Sequence, residues 1–294
     1  MHYTGTIWSP PYEAYSVLVQ VTAGCTRHKC KFCTLYEDVP FKFRMSPLAE
    51  VEEDMKELGH YYHDANRVFF TGANPFVLHF DKLKALAEQV KKYFHNAESI
   101  GCFARITDIT PKTTEQLRQL RELGYNSITI GVEAGDDESL SFMHKGFGTK
   151  EIIRECKRLD EVGMDYNFFY LAGIYGSGRS ESGAKNTAEV FNQLRPKIIV
   201  SSMLTIYPTS ELYQEIQAGN WTEETEFEKL LELRALIQHL EIPTYFATMG
   251  ASNCVNVEGH LPKDKEKMIR WIDKVIGSVD EKELRRYREN LRHL

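Results

Sequence analysis

The chain has 294 residues, 42% hydrophobic and 27% charged, a balance that excludes a disordered chain and is long enough to bury a core without disulfide staples. Lysine and arginine number 36 against 42 aspartates and glutamates, and a formal charge of −6 argues against a protein whose main task is gripping phosphate backbones. No apolar run is long enough to cross a bilayer, no basic segment followed by an apolar run opens the chain, and three of the six cysteines crowd between positions 25 and 33, so the expectation is a cytoplasmic protein rather than a disulfide scaffold.

In chain order, short apolar and β-branched runs predict strands at residues 16–22, 67–71, 99–104, 127–132, 167–172 and 198–204. They lack strict alternation, as strands buried on both faces of a parallel sheet do. Helical periods lie between them. Ser46 as cap and Pro47 in the first turn introduce Leu48, Val51, Met55 and Leu58 on one face. Leu83, Leu86, Val90 and Phe94 repeat the pattern, then Leu117, Leu120 and Leu123, then Ile152, Cys156, Leu159 and Val162. Gly59, Gly124 and Gly163 are expected to stop three of these helices in left-handed backbone. Beyond Pro208 the pattern predicts helices at 210–218 and 224–240, an extended run at 244–248, and helices at 262–276 and 281–291. Six strand–helix steps in about 200 residues suit a parallel barrel, or most of one, and an open doubly wound sheet equally.

The chemistry begins after the first strand, in Gly24-Cys25-Thr26-Arg27-His28-Lys29-Cys30-Lys31-Phe32-Cys33. Three thiolates on so short a loop suit an iron–sulfur cluster or zinc. A structural zinc takes four protein ligands; His28 is the one local candidate for a fourth, and it lies awkwardly inside the loop. A cluster held by three thiolates keeps one iron open for chemistry.

The C-x4-C-x2-C loop, with Phe32 before its third cysteine, resembles the signature of the radical S-adenosylmethionine (SAM) superfamily, whose commonest form has one residue fewer in the first gap. Further segments resemble that superfamily in order. Gly72-Ala73-Asn74-Pro75 resembles its Gly-Gly-Glu-type turn, which holds the SAM amino group; Ala73 and Asn74 replace the second glycine and the acid. Gly131-Val132-Glu133-Ala134-Gly135 resembles a segment of the branch containing coproporphyrinogen dehydrogenases, methylthiotransferases and the elongator catalytic subunit. The resemblance implies that Glu133 accepts from the SAM ribose and that Lys145, twelve residues on, meets the SAM carboxylate. The strand carrying Leu171 resembles the one that lines the adenine, and Arg105, ending the third strand, is an anion-contact candidate. The tail around Gly259-His260-Leu261-Pro262 is similar to that of radical SAM proteins of anaerobic bacteria.

The resemblance implies an α/β fold, a partial (β/α)6 TIM-type barrel over residues 1–210, with a mainly helical extension over 211–294 packed on it rather than folding independently. It implies one [4Fe–4S] cluster on Cys25, Cys30 and Cys33, SAM as cofactor, and reductive cleavage to a 5′-deoxyadenosyl radical that abstracts hydrogen from a small organic substrate. A low-potential donor such as flavodoxin or ferredoxin is the expected partner. The alternatives are an RNA- or peptide-modifying member, and a non-catalytic iron–sulfur or zinc protein for electron transfer or regulation. Of the remaining cysteines, Cys102 and Cys156 read as small buried hydrophobes, and Cys254 as a candidate substrate-side thiol.

Overall fold

The computed structural model of the chain describes residues 1–291. The chain runs through β1 (Val17–Gln20), β2 (Thr22–Gly24), β3 (Phe43–Met45), α1 (Leu48–Tyr61), β4 (Arg67–Thr71), α2 (Phe80–Tyr93), β5 (Ser99–Ala104), α3 (Ile106–Ile109), α4 (Thr114–Glu122) and β6 (Ile128–Glu133). It continues through α5 (Asp137–Phe142), α6 (Thr149–Glu161), β7 (Tyr166–Ala172), α7 (Ser180–Phe191), β8 (Ile198–Met203), α8 (Glu211–Gln217), α9 (Glu226–His239), β9 (Thr244–Thr248), β10 (Glu258–Leu261), α10 (Lys265–Ser278) and α11 (Glu281–Glu289). The class is α/β, and six strand–helix steps are present as expected.

Two compact units divide the chain. The first holds Met1–His28, Leu35–Gly131 and Glu155–Tyr166. Its strands run β1-β4-β5-β6, all parallel, with Val17 opposite Val68, Phe70 opposite Cys102 and Ala104 opposite Ile130. Val68, Phe69, Phe70 and Cys102 are fully buried, because helices cover these strands with the predicted stripes: Val51 and Met55 of α1, Leu83, Leu86 and Val90 of α2, Leu117 and Leu120 of α4. Gly124 and Gly163 follow helices in left-handed backbone, as expected.

Three local expectations are corrected here. Gly59 does not stop α1 but lies inside it, where an added Cβ would stand 2.6 Å from the Tyr93 carbonyl oxygen; it lets α1 approach α2 closely. Ser46 is not the cap of α1: Pro47 occupies that position, with no side-chain hydrogen bond. The expected strand at 16–22 is two strands, because β2 leaves the sheet to pair antiparallel with β3, a segment too short to announce itself by period. Gly24 permits the close approach of β2 to the segment ahead of β3: its φ is +75°, and a Cβ would lie 2.2 Å from the Lys42 carbonyl oxygen.

The second unit holds Lys29–Thr34, Val132–Arg154 and the chain from Asn167 onward. Here β7, β8 and β9 are parallel and β10 runs antiparallel to β9. The extended run at 244–248 thus joins a sheet, and β9 and β10 accompany the four helices after Pro208. The helix expected at 262–276 begins only at Lys265, because β10 and the turn after it take the preceding residues. Helix α9 starts at Glu226, two residues later than its period predicts, since Thr225 caps it reciprocally with Glu228. That leaves Glu223 and Glu224 ahead of the helix.

Candidate functional site

None of the six cysteines is in a disulfide. In the first unit, the Cys25 amide donates to the Lys42 carbonyl at 2.7 Å, so the β2–β3 ribbon fixes where the cysteine loop begins. In the second unit, the Cys33 amide donates to the Cys30 carbonyl at 3.0 Å, a tight turn. Lys31, buried inside that turn, anchors it. Its amide donates to Met143 at 3.3 Å, its carbonyl accepts from Leu212 at 2.8 Å, and its ammonium pairs with Glu215 and lies 4.2 Å from the centre of the Phe142 ring. Cys30 is half-buried and Cys33 exposed. Among the described residues, no three cysteine, histidine, aspartate or glutamate side chains are gathered into a metal site. The donor type, unoxidised and accessible thiols on anchored backbone, fits an iron–sulfur cluster.

The turn after β4 contains Gly72, Ala73 and Asn74. Gly72 has a φ of +129°, and a Cβ there would stand 2.0 Å from Thr22 Oγ1. Thr22 Oγ1 and Thr71 Oγ1 are buried without a hydrogen-bond partner, which leaves polar atoms in a close-fitting cradle at the ends of these strands. Asn74 is fully buried. Its Nδ2 donates to Thr26 Oγ1 at 2.7 Å and to the two Asp108 carboxylate oxygens at 3.2 and 3.1 Å. Its Oδ1 accepts from the Thr26 amide at 3.4 Å. Asp108, on α3, also accepts from the Arg105 amide at 2.8 Å. Burial pushes its carboxyl up to about 6 against hydrogen bonds from Arg105 and Asn74. Arg105, half-buried, donates from Nη1 to Thr107 Oγ1 at 2.9 Å.

In the second unit, Glu133 and Lys145 meet: Lys145 Nζ donates to Glu133 Oε1 at 3.1 Å. Lys145 is 4% exposed, and its ammonium lies 5.7 Å from the Phe32 ring centre and 5.5 Å from that of Phe147. A buried ammonium needs such company: a carboxylate and two aromatic faces replace its lost hydration. Glu133 holds a φ of +66°, a conformation that costs a non-glycine residue about 1 kcal/mol or more. Gly135 is a packing residue: its amide donates to Thr187 Oγ1 at 2.7 Å, and a Cβ would stand 2.9 Å from Thr187 Cα. Leu171 is half-buried on β7, opposite Ser202.

Beyond β7 lies a polar network that the sequence does not announce. Glu232 of α9 is fully buried, with Oε1 accepting from Tyr170 Oη at 2.5 Å and Oε2 from the Gly173 amide at 2.8 Å. Burial and the neighbouring Glu224 hold the Glu232 carboxyl well above the usual range. Burial likewise pushes Glu224 up to about 7; Glu232 and Ser180 lie close enough to ease its ionisation, though neither meets hydrogen-bond geometry. Of the bystander thiols, Cys102 and Cys156 are fully buried, as expected. Cys254 is half-buried beside Met203 Sδ at 3.5 Å, and burial raises its thiol pKa, the opposite of activation. Spacing could not reveal Lys31, Phe147 or Asp108 as site neighbours; an aspartate four residues past a strand end, in the first turn of a helix, reads as part of a helix cap.

The model of the radical SAM superfamily matches residues 19–188, more than half of the chain. The heme chaperone HemW of Buchnera aphidicola subsp. Schizaphis graminum (strain Sg) is 23% identical over 155 residues, 50% of this chain and 40% of the relative. The chain spans less than half the length of the curated relatives it matches. Among solved structures, coproporphyrinogen III oxidase (HemN) from Escherichia coli is similar with a TM-score of 0.58 at 16% identity, over 76% of this chain and 51% of that one. Methylornithine synthase (PylB) is similar with a TM-score of 0.54 at 12% identity, over 92% of this chain and 85% of that one. At such identities these likenesses show the fold, a mostly parallel α/β fold like the radical SAM partial TIM-type barrel. Taken with the ordered motifs and the family match, they mean that the chain belongs to the radical SAM superfamily of enzymes.

Proposed function

We propose that the chain binds one [4Fe–4S] cluster through Cys25, Cys30 and Cys33, binds SAM beside it, and directs a 5′-deoxyadenosyl radical to a small organic substrate. The observation that carries this reading is the Glu133–Lys145 pair, a half-buried carboxylate bonded at 3.1 Å to a buried ammonium that faces Phe32 of the cysteine loop. When bound, the cluster supplies the electron that cleaves a carbon–sulfur bond of SAM. The protein's residues bind, orient and exclude water. Lys145 takes the SAM carboxylate as a point charge, and Glu133 accepts from the ribose hydroxyls. Gly72, Ala73 and Asn74 cradle the amino group, Arg105 offers an anion contact, and Leu171 forms part of the adenine wall. Residues 1–210 form the catalytic barrel and 211–294 its extension. The electron donor is a flavodoxin or ferredoxin, and the setting is the cytoplasm.

Anaerobic reconstitution with iron and sulfide, then reduction with SAM present, tests this. The expected outcome is 5′-deoxyadenosine and methionine, with cluster iron lost in Cys30→Ala. An intact cluster that yields neither product overturns the reading. The relationship to HemW favours a second reading, in which the chain handles heme without radical chemistry. Stoichiometric hemin binding by a protein inert toward SAM would select it.

A further inference from the structure

We propose that Asp108 is a positioning residue for the SAM amino group: through Asn74 it supplies the negative charge that the turn after β4 lacks. This rests on the SAM-binding reading above. The turn carries a neutral amide where the superfamily's turn has an acid, so by itself it offers an ammonium a hydrogen bond without an ion pair. The missing carboxylate stands directly behind it, 34 residues on in the chain.

The geometry makes Asp108 more than a neighbour. Three acceptors surround Asn74 Nδ2: both Asp108 oxygens and Thr26 Oγ1. Rotating the amide by half a turn would press its carbonyl oxygen against a carboxylate, so Asp108 settles which end of the amide faces which way. Oδ1 is thereby directed to the segment adjoining Cys25, where its one hydrogen bond, from the Thr26 amide, is long at 3.4 Å. A carbonyl oxygen has capacity for a second, stronger donor, and an ammonium is one.

Charge follows the same line. Asp108 is 2% exposed, and its carboxylate accepts from neutral donors, Asn74 Nδ2 and the Arg105 amide. The nearby buried Lys112 donates instead to the Asp108 backbone carbonyl at 2.9 Å and to the Phe76 carbonyl at 2.6 Å. With its pKa at about 6, the carboxyl is ionised at neutral pH. An ammonium bound at Asn74 Oδ1 completes a carboxylate–amide–ammonium chain, in which the amide dipole carries the buried charge to the ligand. A carboxylate that merely capped α3 would need only the Arg105 amide.

Equilibrium binding to the anaerobic, cluster-loaded protein tests the proposal, with SAM and 5′-methylthioadenosine as probes; the second lacks the amino and carboxylate groups. Asp108→Asn is expected to weaken SAM about tenfold while methylthioadenosine affinity stays within about twofold. Asn74→Ala, which removes the relay and leaves Asp108, gives the same selective loss even if the Asp108 variant folds poorly. Returning the acid to the turn in N74D/D108N restores SAM affinity. Equal SAM affinity in Asp108→Asn and wild type, or equal losses for both probes without rescue, overturns this inference alone. A wild-type protein that does not bind SAM overturns the SAM-binding reading and this one with it.

Discussion

At the scale of single residues, the site is built where backbone and charge are least comfortable. Glu133 holds left-handed backbone at the end of β6, and Lys145 holds a charge away from water; each compensates the other. Gly72 shows the same economy of space. Its φ of +129° and the 2.0 Å approach to Thr22 Oγ1 leave no room for a methyl group. Gly72→Ala is therefore expected to destabilise the protein by about 2 kcal/mol or more and to weaken SAM binding, read by urea unfolding and equilibrium binding. A wild-type unfolding midpoint in that variant would mean that the turn has slack the structure does not show. The cysteine loop was legible because its ligand types lie within nine positions of one another. Asp108 was not, because its partner is 34 residues away and only packing brings them together.

At the scale of elements, buried charge organises the region after Pro208. Glu226 of α9 is fully buried and bonded to Arg288 of α11 through Oε1 at 2.6 Å and Oε2 at 2.8 Å; Arg288 also donates to Thr205 Oγ1 and the Ser252 carbonyl, both at 3.0 Å. Lys229, fully buried one turn along α9, bonds to Glu223 at 2.9 Å and to the Leu204 carbonyl at 3.2 Å. Removing one partner of a buried pair leaves a charge with no water to solvate it. Arg288→Met is expected to cost about 3–5 kcal/mol, with part recovered in E226Q/R288M, both measured by urea unfolding. A loss no larger than that of an exposed pair would show that water reaches Glu226. The helical period placed α9 to within two residues at its start, yet its buried face mixes Leu230, Leu233 and Ile237 with Glu226, Lys229 and Glu232. No period predicts such a core; it exists because tertiary neighbours pair Glu226 and Lys229 with opposite charges and give Glu232 the Tyr170 hydroxyl and the Gly173 amide.

For the whole molecule, those carboxylates set a pH dependence. Burial pushes Glu224 up to about 7, and burial with the neighbouring Glu224 holds Glu232 well above the usual carboxylate range; Lys229 opposes the shift at Glu224 and Glu228 adds to it. The folded protein therefore keeps protons that the unfolded chain releases near the ordinary value of about 4.5, so stability falls as pH rises through this window. Glu224 and Glu232 face each other, so the fall belongs to the pair rather than to either carboxyl. Asp108, raised to about 6, adds in the same direction. Asp136, Glu223 and Glu228 have the opposite sign: their pKa values are lowered by hydrogen bonds and cations that outweigh burial, and their contribution is lost on acidification. Maximum stability is thus expected near about pH 5, with a decline toward about pH 7.5 that Glu224→Gln reduces; urea unfolding across that range checks it. A wild-type profile that is flat or rises over the same interval would contradict the burial of this pair.

The sequence by itself determined the strand positions at 67–71, 99–104 and 244–248, the stripes that cover them and the order of the motifs, because period, turn residues and ligand spacing are local. It also carried the Glu133–Lys145 spacing, which one strand end and the helix after it suffice to close. Only the tertiary structure decided that Gly59 lies within a helix, that Lys31 is clasped by Glu215, that Glu232 meets Tyr170 and that Asp108 stands behind Asn74. Each of these depends on distant segments that must first be packed before their side chains can meet. Burial then fixes which polar groups have to find a partner, and that choice is invisible to any local pattern.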